Sequence, residues 1–423
     1  MKKHKKRRIA LYAAFALFIA AFAGFMGVGD FAPKERSLKI IDNEAVTTVS
    51  EKAAAESTEA GGKNSGVLDI EAKAAVLIDG TSGRVLYAQN EKEHLPPASV
   101  TKVMTILLIL EGCESGKISF DDRVVISERA ADMGGSQMYM EMGETHSVEE
   151  LLKGVIMVSA NDGCVALAEH LSGSVEVFVE EMNSRAKEMG LTDSNFINTN
   201  GLPVADHYSC AYDIGKISAE LMKHEEAHEW FTTWQEDIKV GLPGKERKFT
   251  LTNTNKLIKT YNGAIGVKTG YTDDAGYCLS GAAERNGTRL IGVVLGCETS
   301  DIRFAEMRRL LDYGFSNYET IKVVEGGKSL KKAEIDRGSV DKVSAVATED
   351  ICMTINKGTA DKVVKKIHLN KEIEAPIKKG DKVGALTIYV GDETKESYEL
   401  VSDRDVDRIG PIKWYIRKIK KMI

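Results

Sequence analysis

Ser99 and Lys102 stand three residues apart at the start of a long apolar run, residues 103–110. Two prolines precede the serine and a glycine follows the run, as is typical of a helix start and stop. Side chains three residues apart share one helix face, so the sequence predicts a buried helix that places a hydroxyl beside an amine. Such a pair can form an activated nucleophile. Taken alone, the same spacing is more often a helix cap followed by a solvated lysine.

A second polar cluster, Ser159-Ala160-Asn161, lies between two segments of helical periodicity, residues 148–158 and 162–171. A hydroxyl and a carboxamide two residues apart on a turn can both point into one cleft. Serine and asparagine are also ordinary turn residues.

The third cluster, Lys268-Thr269-Gly270, is predicted to lie on an edge strand. Two apolar strand candidates follow at residues 277–283 and 289–295, which predicts an antiparallel meander. Glycine permits close backbone approach, so a peptide-like ligand could lie alongside this strand. An exposed strand end is the alternative interpretation.

The composition of the 423 residues is that of an ordinary globular protein of two or three domains, with 43% hydrophobic and 28% charged residues. A net charge of −6, without a dominant basic stripe, argues against a nucleic-acid-binding protein. Six cysteines lie singly and far apart, so neither a metal site nor a cofactor is predicted. Most cysteines are expected to be small buried residues, and disulfides are left open.

The N-terminus has the pattern of an export signal. Residues 1–8 contain six Lys or Arg residues, and an apolar and small-residue run continues to residue 29. Residues 1–29 therefore predict a signal peptide, with Ala21-Phe22-Ala23 as a cleavage candidate, or an uncleaved membrane anchor. Either alternative predicts an exported protein at the outer face of the cytoplasmic membrane. Residues 30–66 predict a flexible linker.

Regular structure is expected from residue 67. Segments 74–79 and 84–88, separated by a glycine-containing turn, predict a β-hairpin. With the helical segments and the meander, they predict a mixed α/β domain over residues 67–318. Residues 319–404 alternate charged and β-branched residues between glycine-containing turns, which predicts a small all-β domain.

The final segment, residues 405–423, is predicted to contain an amphipathic membrane-associating helix. Residues 411–423 include five basic and no acidic residues. One helical face collects the apolar side chains Ile412, Tyr415, Ile416, Ile419, Met422 and Ile423. This pattern is typical of an interfacial helix on an anionic membrane. A helix docked on the preceding domain is the alternative.

In chain order, the three clusters match the Ser-x-x-Lys, Ser-x-Asn and Lys-Thr-Gly signature of penicillin-binding proteins and class A β-lactamases. Residues 67 to about 318 resemble the low-molecular-weight penicillin-binding proteins, which are serine-type D-alanyl-D-alanine carboxypeptidases. The matching stretches are Pro97-Ala98-Ser99-Val100-Thr101-Lys102, Ser159-Ala160-Asn161-Asp162, Asn200-Gly201-Leu202, His207-Tyr208-Ser209, Lys268-Thr269-Gly270-Tyr271-Thr272 and Ala275-Gly276-Tyr277-Cys278-Leu279. The resemblance implies a β-lactamase/transpeptidase-like domain with an antiparallel sheet and a helical subdomain. In that family a β-rich domain and a C-terminal amphipathic anchor commonly follow.

The resemblance implies removal of the terminal D-alanine from peptidoglycan stem pentapeptides through an acyl-enzyme on Ser99, with β-lactams as inhibitors. No histidine lies in the clusters, so Lys102 is expected to act as the general base in its neutral form. Burial and the like charge of Lys268 would lower its pKa. Ser159 is expected to relay a proton to the leaving amine, and Asn161 to bind the substrate amide.

The remaining predicted site residues bind the substrate's C-terminal carboxylate or hold the oxyanion that forms during the reaction. The free carboxylate of a terminal D-alanine requires cationic and hydroxyl partners, which Lys268 and Thr269 supply beside Gly270. By resemblance, the main-chain N–H groups of Ser99 and Tyr271 hold the oxyanion. Arg303 is a further candidate for the carboxylate by resemblance, and a solvated helix arginine is the alternative.

Three other functions remain open. A class A β-lactamase places a glutamate on a loop after the Ser-x-Asn cluster, and residues 195–202 contain no acidic residue, which favours the peptidase. A D,D-endopeptidase would use the same fold. A non-catalytic envelope binding protein would not need both lysines. The sequence departs from the family pattern at Asn200 and Tyr271, where histidine is frequent.

Overall fold

The structure is a computed structural model that describes residues 68–391 and 393–422. The predicted signal peptide or anchor over residues 1–29 and the predicted linker over residues 30–66 lie outside the described residues. The side chains of Met422 and Ile423, which were assigned to the apolar face of the last helix, also lie outside them.

Strands occur on both sides of a mainly helical middle section. In chain order they are β1 (Ala74–Asp79), β2 (Val85–Gln89), β3 (Arg123–Val125), β4 (Thr145–Ser147), β5 (Gln235–Val240), β6 (Arg247–Thr252), β7 (Ala264–Thr272), β8 (Gly276–Arg285), β9 (Thr288–Cys297), β10 (Tyr318–Val324), β11 (Lys331–Glu334), β12 (Lys342–Val346), β13 (Ile351–Asn356), β14 (Val363–Leu369), β15 (Lys382–Val390) and β16 (Glu393–Ser402).

The described α-helices are α1 (Lys102–Glu114), α2 (Glu128–Ala131), α3 (Val148–Met157), α4 (Asn161–Ser172), α5 (Val175–Glu188), α6 (Ala211–Leu221), α7 (His228–Thr232), α8 (Leu257–Thr260), α9 (Ser300–Asn317) and α10 (Pro411–Met422). Short 3₁₀ turns lie at Ala98–Thr101, Glu225–Ala227 and Ala360–Lys362.

One five-stranded antiparallel sheet, in the order β2-β1-β9-β8-β7, forms the centre of the first domain. The predicted hairpin is confirmed by the pairing of β1 with β2. The predicted meander is confirmed by β7, β8 and β9, in which Lys268 lies opposite Ser280. Strand β7 is an edge strand, so one side of its backbone is free of sheet hydrogen bonds, as predicted for the Lys268 segment.

The two faces of this sheet are covered by different helices. Val76 and Ile78 of β1 belong to the core that includes α1, α3, α4 and α6. Ala75 and Leu77 point to the opposite face, into the core formed with α9. This alternation follows from the two-residue period of a strand. The long apolar run of α1 is buried over almost its entire length, as its sequence predicted.

The second domain is all-β. Strands β11, β12, β16, β15 and β14 form a five-stranded sheet, and β10 pairs with β13. Its separate core contains Val343, Leu386 and Leu400, which are fully or almost fully buried. The predicted mixed α/β fold, with an all-β domain and a C-terminal helix behind it, is therefore confirmed.

Helix α10 contacts the second domain through polar side chains. The indole N–H of Trp414 donates to Asp336 Oδ1 at 2.8 Å, and the Arg417 guanidinium donates to the carbonyl oxygen of Gly338 at 2.6 Å. Its apolar side chains Ile412 and Tyr415 are exposed. None of the helices in the described chain combines the length and apolarity needed to cross a bilayer.

All six cysteines are unpaired. Four of them are buried and two are partly buried. The prediction of small buried residues therefore holds for most of them, and the disulfides that the sequence left open do not form.

Candidate active site

The Ser99 hydroxyl and the Lys102 amine lie side by side, with 2.9 Å between Ser99 Oγ and Lys102 Nζ. Ser99 stands on the 3₁₀ turn Ala98–Thr101, and the α-helix begins only at Lys102. The α-helix therefore starts three residues later than the sequence suggested. Ala98 has a φ of +48°, a left-handed conformation that is uncommon for a side chain with a Cβ. Such backbone strain is concentrated at functional sites.

Lys102 is fully buried, and its second polar contact is the carbonyl oxygen of Asn200, 2.7 Å from Nζ. Burial lowers the pKa of Lys102 from 10.5 to about 8, because the charged form loses hydration. The charge of Lys268, expected to contribute to this shift, is not among its causes; the effect runs the other way, and the charge of Lys102 helps to lower the pKa of Lys268. About one-tenth of the Lys102 amine is thus neutral at pH 7.

The Asn200 carbonyl is positioned by a tight turn that sequence reasoning did not identify as part of the site. Asn198 Oδ1 accepts hydrogen bonds from the main-chain N–H groups of Asn200 and Gly201, at 3.2 and 2.7 Å. A Cβ at position 201 would lie 1.8 Å from the carbonyl oxygen of Ala98, and φ is +83° there, so glycine is required. The Asn-x-Asn-Gly sequence is the signal that could have revealed this turn.

Ser159 and Asn161 each present one buried oxygen that has no hydrogen-bond partner among the described residues. Ser159 has a φ of +64°, and its Oγ makes no hydrogen bond within the described chain. Asn161 Nδ2 donates to the carbonyl oxygen of Gly134 at 2.7 Å, whereas its Oδ1 is unpartnered. Buried polar atoms are nearly always hydrogen-bonded, so these two oxygens are suited to a ligand.

Asp162 fixes the segment that faces Asn161. Its buried carboxylate accepts N–H bonds from Met138 at 3.0 Å and from Gly163 at 2.9 Å. Burial nevertheless raises the pKa of Asp162 above its usual value. The sequence motifs predicted no role for this residue beyond its place in the stretch Ser159-Ala160-Asn161-Asp162.

The edge strand β7 passes directly beside the nucleophile. A Cβ at Gly270 would lie 3.0 Å from the main-chain nitrogen of Ser99 and 3.1 Å from the carbonyl oxygen of Pro97. Glycine therefore permits the strand to approach Ser99 closely. This approach brings the Lys-Thr-Gly cluster and the Ser-x-x-Lys cluster into one groove, which we call the catalytic groove.

Lys268 and Thr269 are held in place by short-range contacts. Lys268 is fully buried, and its Nζ donates to the carbonyl oxygen of Thr269 at 3.1 Å. Burial, and then the charge of Lys102, lower its pKa well below the usual value. Thr269 Oγ1 lies 2.7 Å from Thr254 Oγ1, and the Thr254 N–H donates to the carbonyl oxygen of Met157 at 3.0 Å. Thr254 thus connects β7 to the segment before Ser159, and no sequence motif indicated it.

Tyr271 is exposed at the surface, whereas Arg303 is buried. Tyr271 is half exposed, and its hydroxyl donates to Asp273 at 2.7 Å. Its ring lies 4.4 Å from the Tyr277 ring. Arg303 is buried in the first turn of α9, and its NH1 donates to the carbonyl oxygens of Gly270 and Cys278 at 3.0 and 3.2 Å. The structure therefore places Arg303 against the backbone of β7 and β8, and its predicted contact with a substrate carboxylate stays a prediction.

Comparisons with known proteins agree with this geometry. The family model described as D-alanyl-D-alanine carboxypeptidase matches residues 41–299, and that of the penicillin-binding protein 5 C-terminal domain matches residues 318–408. The chain is 41% identical over 350 residues to the D-alanyl-D-alanine carboxypeptidase DacF of Bacillus subtilis, covering 82% of this chain and 89% of that protein.

A second relative and a solved structure come from Haemophilus influenzae. The D-alanyl-D-alanine carboxypeptidase DacA of that organism is 36% identical over 353 residues, covering 81% of this chain and 86% of the relative. The crystal structure of its penicillin-binding protein 5 superposes with a TM-score of 0.70 at 34% identity, covering 81% of this chain and 99% of that one. The chain therefore belongs to the D-alanyl-D-alanine carboxypeptidase family of low-molecular-weight penicillin-binding proteins.

Proposed function

We propose that this protein is a serine-type D-Ala-D-Ala carboxypeptidase that removes the terminal D-alanine from peptidoglycan stem peptides, with Ser99 as the nucleophile. One observation supports this most directly: the buried Lys102 amine lies 2.9 Å from Ser99 Oγ and has a pKa lowered to about 8. A neutral amine at this distance can remove the hydroxyl proton as the new bond forms.

Acylation begins when Ser99 Oγ attacks the carbonyl carbon of the penultimate D-alanine and its proton passes to Lys102 Nζ. The main-chain N–H groups of Ser99 and Tyr271 stabilise the negative oxygen of the tetrahedral intermediate. The bond from that carbon to the terminal D-alanine nitrogen then breaks. The leaving nitrogen takes the proton from Lys102 through the Ser159 hydroxyl, and free D-alanine departs.

Deacylation reverses the roles of these groups. Water attacks the ester carbon, Lys102 accepts its proton, and the Ser99 oxygen recovers a proton as the ester bond breaks. The product is the peptide shortened by one D-alanine. Asn161 Oδ1, which is unpartnered, accepts a hydrogen bond from an amide N–H of the substrate in both steps.

The substrate carboxylate decides which of the two lysines is charged. Lys102 and Lys268 are both fully buried, and neither forms an ion pair with a carboxylate of the described residues. Two such amines resist being charged together. A carboxylate bound at Lys268 and Thr269 holds the proton on Lys268, and this leaves Lys102 neutral. Arg303 supports the same arrangement by binding the Gly270 carbonyl behind the strand.

The alternatives fit the groove less well. A β-lactamase needs a carboxylate that activates water for rapid deacylation. The 195–202 loop, which supplies the Asn200 carbonyl to Lys102, has only amide, hydroxyl and apolar side chains. β-Lactams therefore acylate Ser99 and are released slowly. A non-catalytic binding protein would bear the free-energy cost of burying two lysines without using their lowered pKa values. For an endopeptidase, no contact among the described residues of the groove gives specific support.

We further propose that the protein is exported and lies at the outer face of the cytoplasmic membrane, attached through its termini. The basic and apolar sequence of residues 1–29 supports export. Helix α10 supports membrane contact, because Ile412, Tyr415, Ile416 and Ile419 are 76%, 63%, 52% and 45% exposed. Trp414 and Arg417 hold the opposite side of the helix on the second domain. The helix thus docks through polar contacts and leaves its apolar face for an interface.

The carboxypeptidase activity is tested by incubating the purified protein with an acylated peptide that ends in D-Ala-D-Ala and measuring free D-alanine. Wild-type protein releases D-alanine, and Ser99→Ala releases none above background. Ser397→Ala, an exposed serine of β16, is the matched control and keeps the wild-type rate. D-alanine release by Ser99→Ala at the wild-type rate would overturn the assignment.

A further inference from the structure

Cys210, Asp213 and Asp193 come together at the start of α6, and none of them belongs to the catalytic groove. The Cys210 sulfur and one carboxylate oxygen from each aspartate all lie within 4.8 Å of one another. Cys210 is the N-cap residue of α6, Asp213 stands in the first turn of the helix, and Asp193 lies in the loop after α5. We call these three residues the Cys210 cluster. The spacing of the cysteines in the sequence did not indicate it, because its other members are aspartates.

Asp213 is a buried carboxylate that has no ionic partner among the described residues. It is only 1% exposed. Its Oδ2 accepts the main-chain N–H of Asp193 at 3.0 Å and the hydroxyl of Ser194 at 2.8 Å. Its Oδ1 is buried and makes no hydrogen bond of ordinary geometry within the described chain, although the Cys210 thiol lies near this carboxylate. Buried charges are normally paired or coordinate a metal, so this carboxylate is suited to a cation.

Asp193 is held in place by a histidine. The Nε2 atom of His94 lies 3.1 Å from Asp193 Oδ1, and the His94 ring stacks on the Tyr208 ring with 4.3 Å between the ring centroids. The Asp193 side chain is 27% exposed, so an ion can reach the cluster from solvent on this side. Carboxylates that ligate metals are themselves hydrogen-bonded to supporting residues in this way.

We propose that the Cys210 cluster binds a zinc ion, with Cys210 Sγ and one oxygen each of Asp193 and Asp213 as ligands and a water in the fourth position. Zinc takes four ligands from thiolate sulfur, imidazole nitrogen and carboxylate oxygen. Calcium and magnesium prefer oxygen ligands alone, so the thiolate determines the class of metal. On binding, the Cys210 thiol releases its proton to water as the bond from sulfur to zinc forms, and no electron is transferred.

The bound ion would connect the two ends of a segment that reaches the catalytic groove. Residues 194–209 run between the ligands, and they include Asn200, whose carbonyl oxygen contacts Lys102. Ser209, next to Cys210, exchanges two main-chain hydrogen bonds with Leu95, at 2.8 and 3.0 Å. Zinc that binds the folded cluster in preference to the unfolded chain stabilises the folded protein. This role is independent of the proposed carboxypeptidase function.

The test uses purified, tag-free protein treated with a chelator and then titrated with zinc by calorimetry and with cobalt by absorption spectroscopy. Wild-type protein binds a single zinc ion, and cobalt gives an intense cobalt–thiolate charge-transfer band. Cys210→Ser abolishes this band and weakens zinc binding at least about 100-fold, since loss of a supporting residue alone costs about 10- to 100-fold. Serine is a favoured N-cap residue, so this variant keeps the cap of α6.

Cys352→Ser is the matched control, because Cys352 is a partly buried cysteine of β13 in the second domain. It keeps the wild-type zinc affinity and cobalt band. His94→Ala keeps the band but weakens zinc binding about ten-fold, because Asp193 loses its support. Added zinc raises the unfolding temperature of wild type and of Cys352→Ser, and leaves that of Cys210→Ser unchanged. A cooperative unfolding transition checks that each variant is folded.

No zinc binding by wild-type protein, or a cobalt–thiolate band that survives Cys210→Ser, would overturn the inference. Calcium that binds the cluster as tightly as zinc would likewise overturn the assignment of the metal. The carboxypeptidase function is measured separately by D-alanine release, so neither result would change it.

Discussion

The catalytic groove and helix α10 depart from the usual distribution of polar and apolar groups in opposite ways. In the groove, the side chains of Lys102 and Lys268 are completely buried. On α10, Ile412 and Tyr415 are 76% and 63% exposed. Lysine is seldom fully buried without an ionic partner, and a row of exposed large apolar residues usually marks an interaction surface.

Each departure costs free energy that a ligand can recover. Lowering the pKa of Lys102 from 10.5 to about 8 disfavours folding by about 3 kcal/mol at pH 7. This free-energy penalty has its full size below pH 8. It disappears above the pKa of 10.5 that Lys102 has in the unfolded chain, because the amine is then neutral in both states. In the proposed function a substrate carboxylate compensates this cost in the groove, and in the proposed membrane contact a lipid interface compensates it at the helix. Both departures are thus explained by a proposed binding partner.

The largest expected effect is at Lys102, because its amine is the basic group hydrogen-bonded to Ser99 Oγ within the described residues. Lys102→Ala lowers kcat/KM for D-alanine release by about a thousand-fold, the middle of the range for general-base removal. Lys382→Ala is the matched control, since Lys382 is half exposed and paired with Glu399. Steady-state kinetics measure both variants. A kcat/KM of Lys102→Ala within ten-fold of the wild-type value would contradict a role of the buried Lys102 as general base.

At Lys268 the expected effect is on carboxylate recognition. Lys268→Ala raises KM by about a hundred-fold for a peptide with a free C-terminal carboxylate, because a charge-assisted contact is lost. The matched substrate is the same peptide with a C-terminal amide, which wild type processes poorly. Kinetics with both peptides separate the roles, since the variant should no longer distinguish them. Unchanged discrimination would show that another group binds the carboxylate.

The helix α10 face is tested by reducing its apolar area. Ile412→Ser with Ile416→Ser lowers binding to vesicles that contain anionic lipid by at least about ten-fold, since each buried isoleucine contributes about 1.5–3 kcal/mol. Co-sedimentation measures the binding, and D-alanine release should stay unchanged. Val125→Ser, at an exposed apolar residue of β3, is the control. Vesicle binding that is insensitive to the double change would exclude this face as the membrane contact.

The pH dependence gives a smaller but directional effect. Lys102 must be neutral to act as a base, so kcat/KM rises with pH and levels off above about 8. Roughly one-tenth of the amine is neutral at pH 7, so the rise from pH 7 to the plateau is about ten-fold. Stopped-flow acylation by penicillin measures this profile. A rate that falls between pH 7 and 8 would contradict a neutral Lys102.

Much of this architecture was predictable, because local sequence patterns determine it. The hairpin of β1 and β2, the meander that carries Lys268, and the buried α1 follow from periodicity and turn residues. The order of the three clusters predicted the family.

Contacts created only by tertiary packing were not predictable. The Asn200 carbonyl reaches Lys102 because of a turn 98 residues away in sequence. Thr254 joins β7 to the chain before Ser159 through one N–H and one hydroxyl. Arg303 points at main-chain carbonyls of β7 and β8 because α9 packs beneath the sheet, and the sequence around it cannot show this. Each residue here contacts at least one main-chain N–H or carbonyl group, and the amino-acid type of the residue that supplies such a group reveals little about the contact.

The most direct test of the central claim is to locate the covalent intermediate. The protein is incubated with penicillin, digested, and examined by mass spectrometry for the acylated peptide. We expect one adduct, on Ser99, with its rate of formation reduced about a thousand-fold in Lys102→Ala. An adduct on another residue, or an equally fast adduct on Ser99 without Lys102, would contradict it.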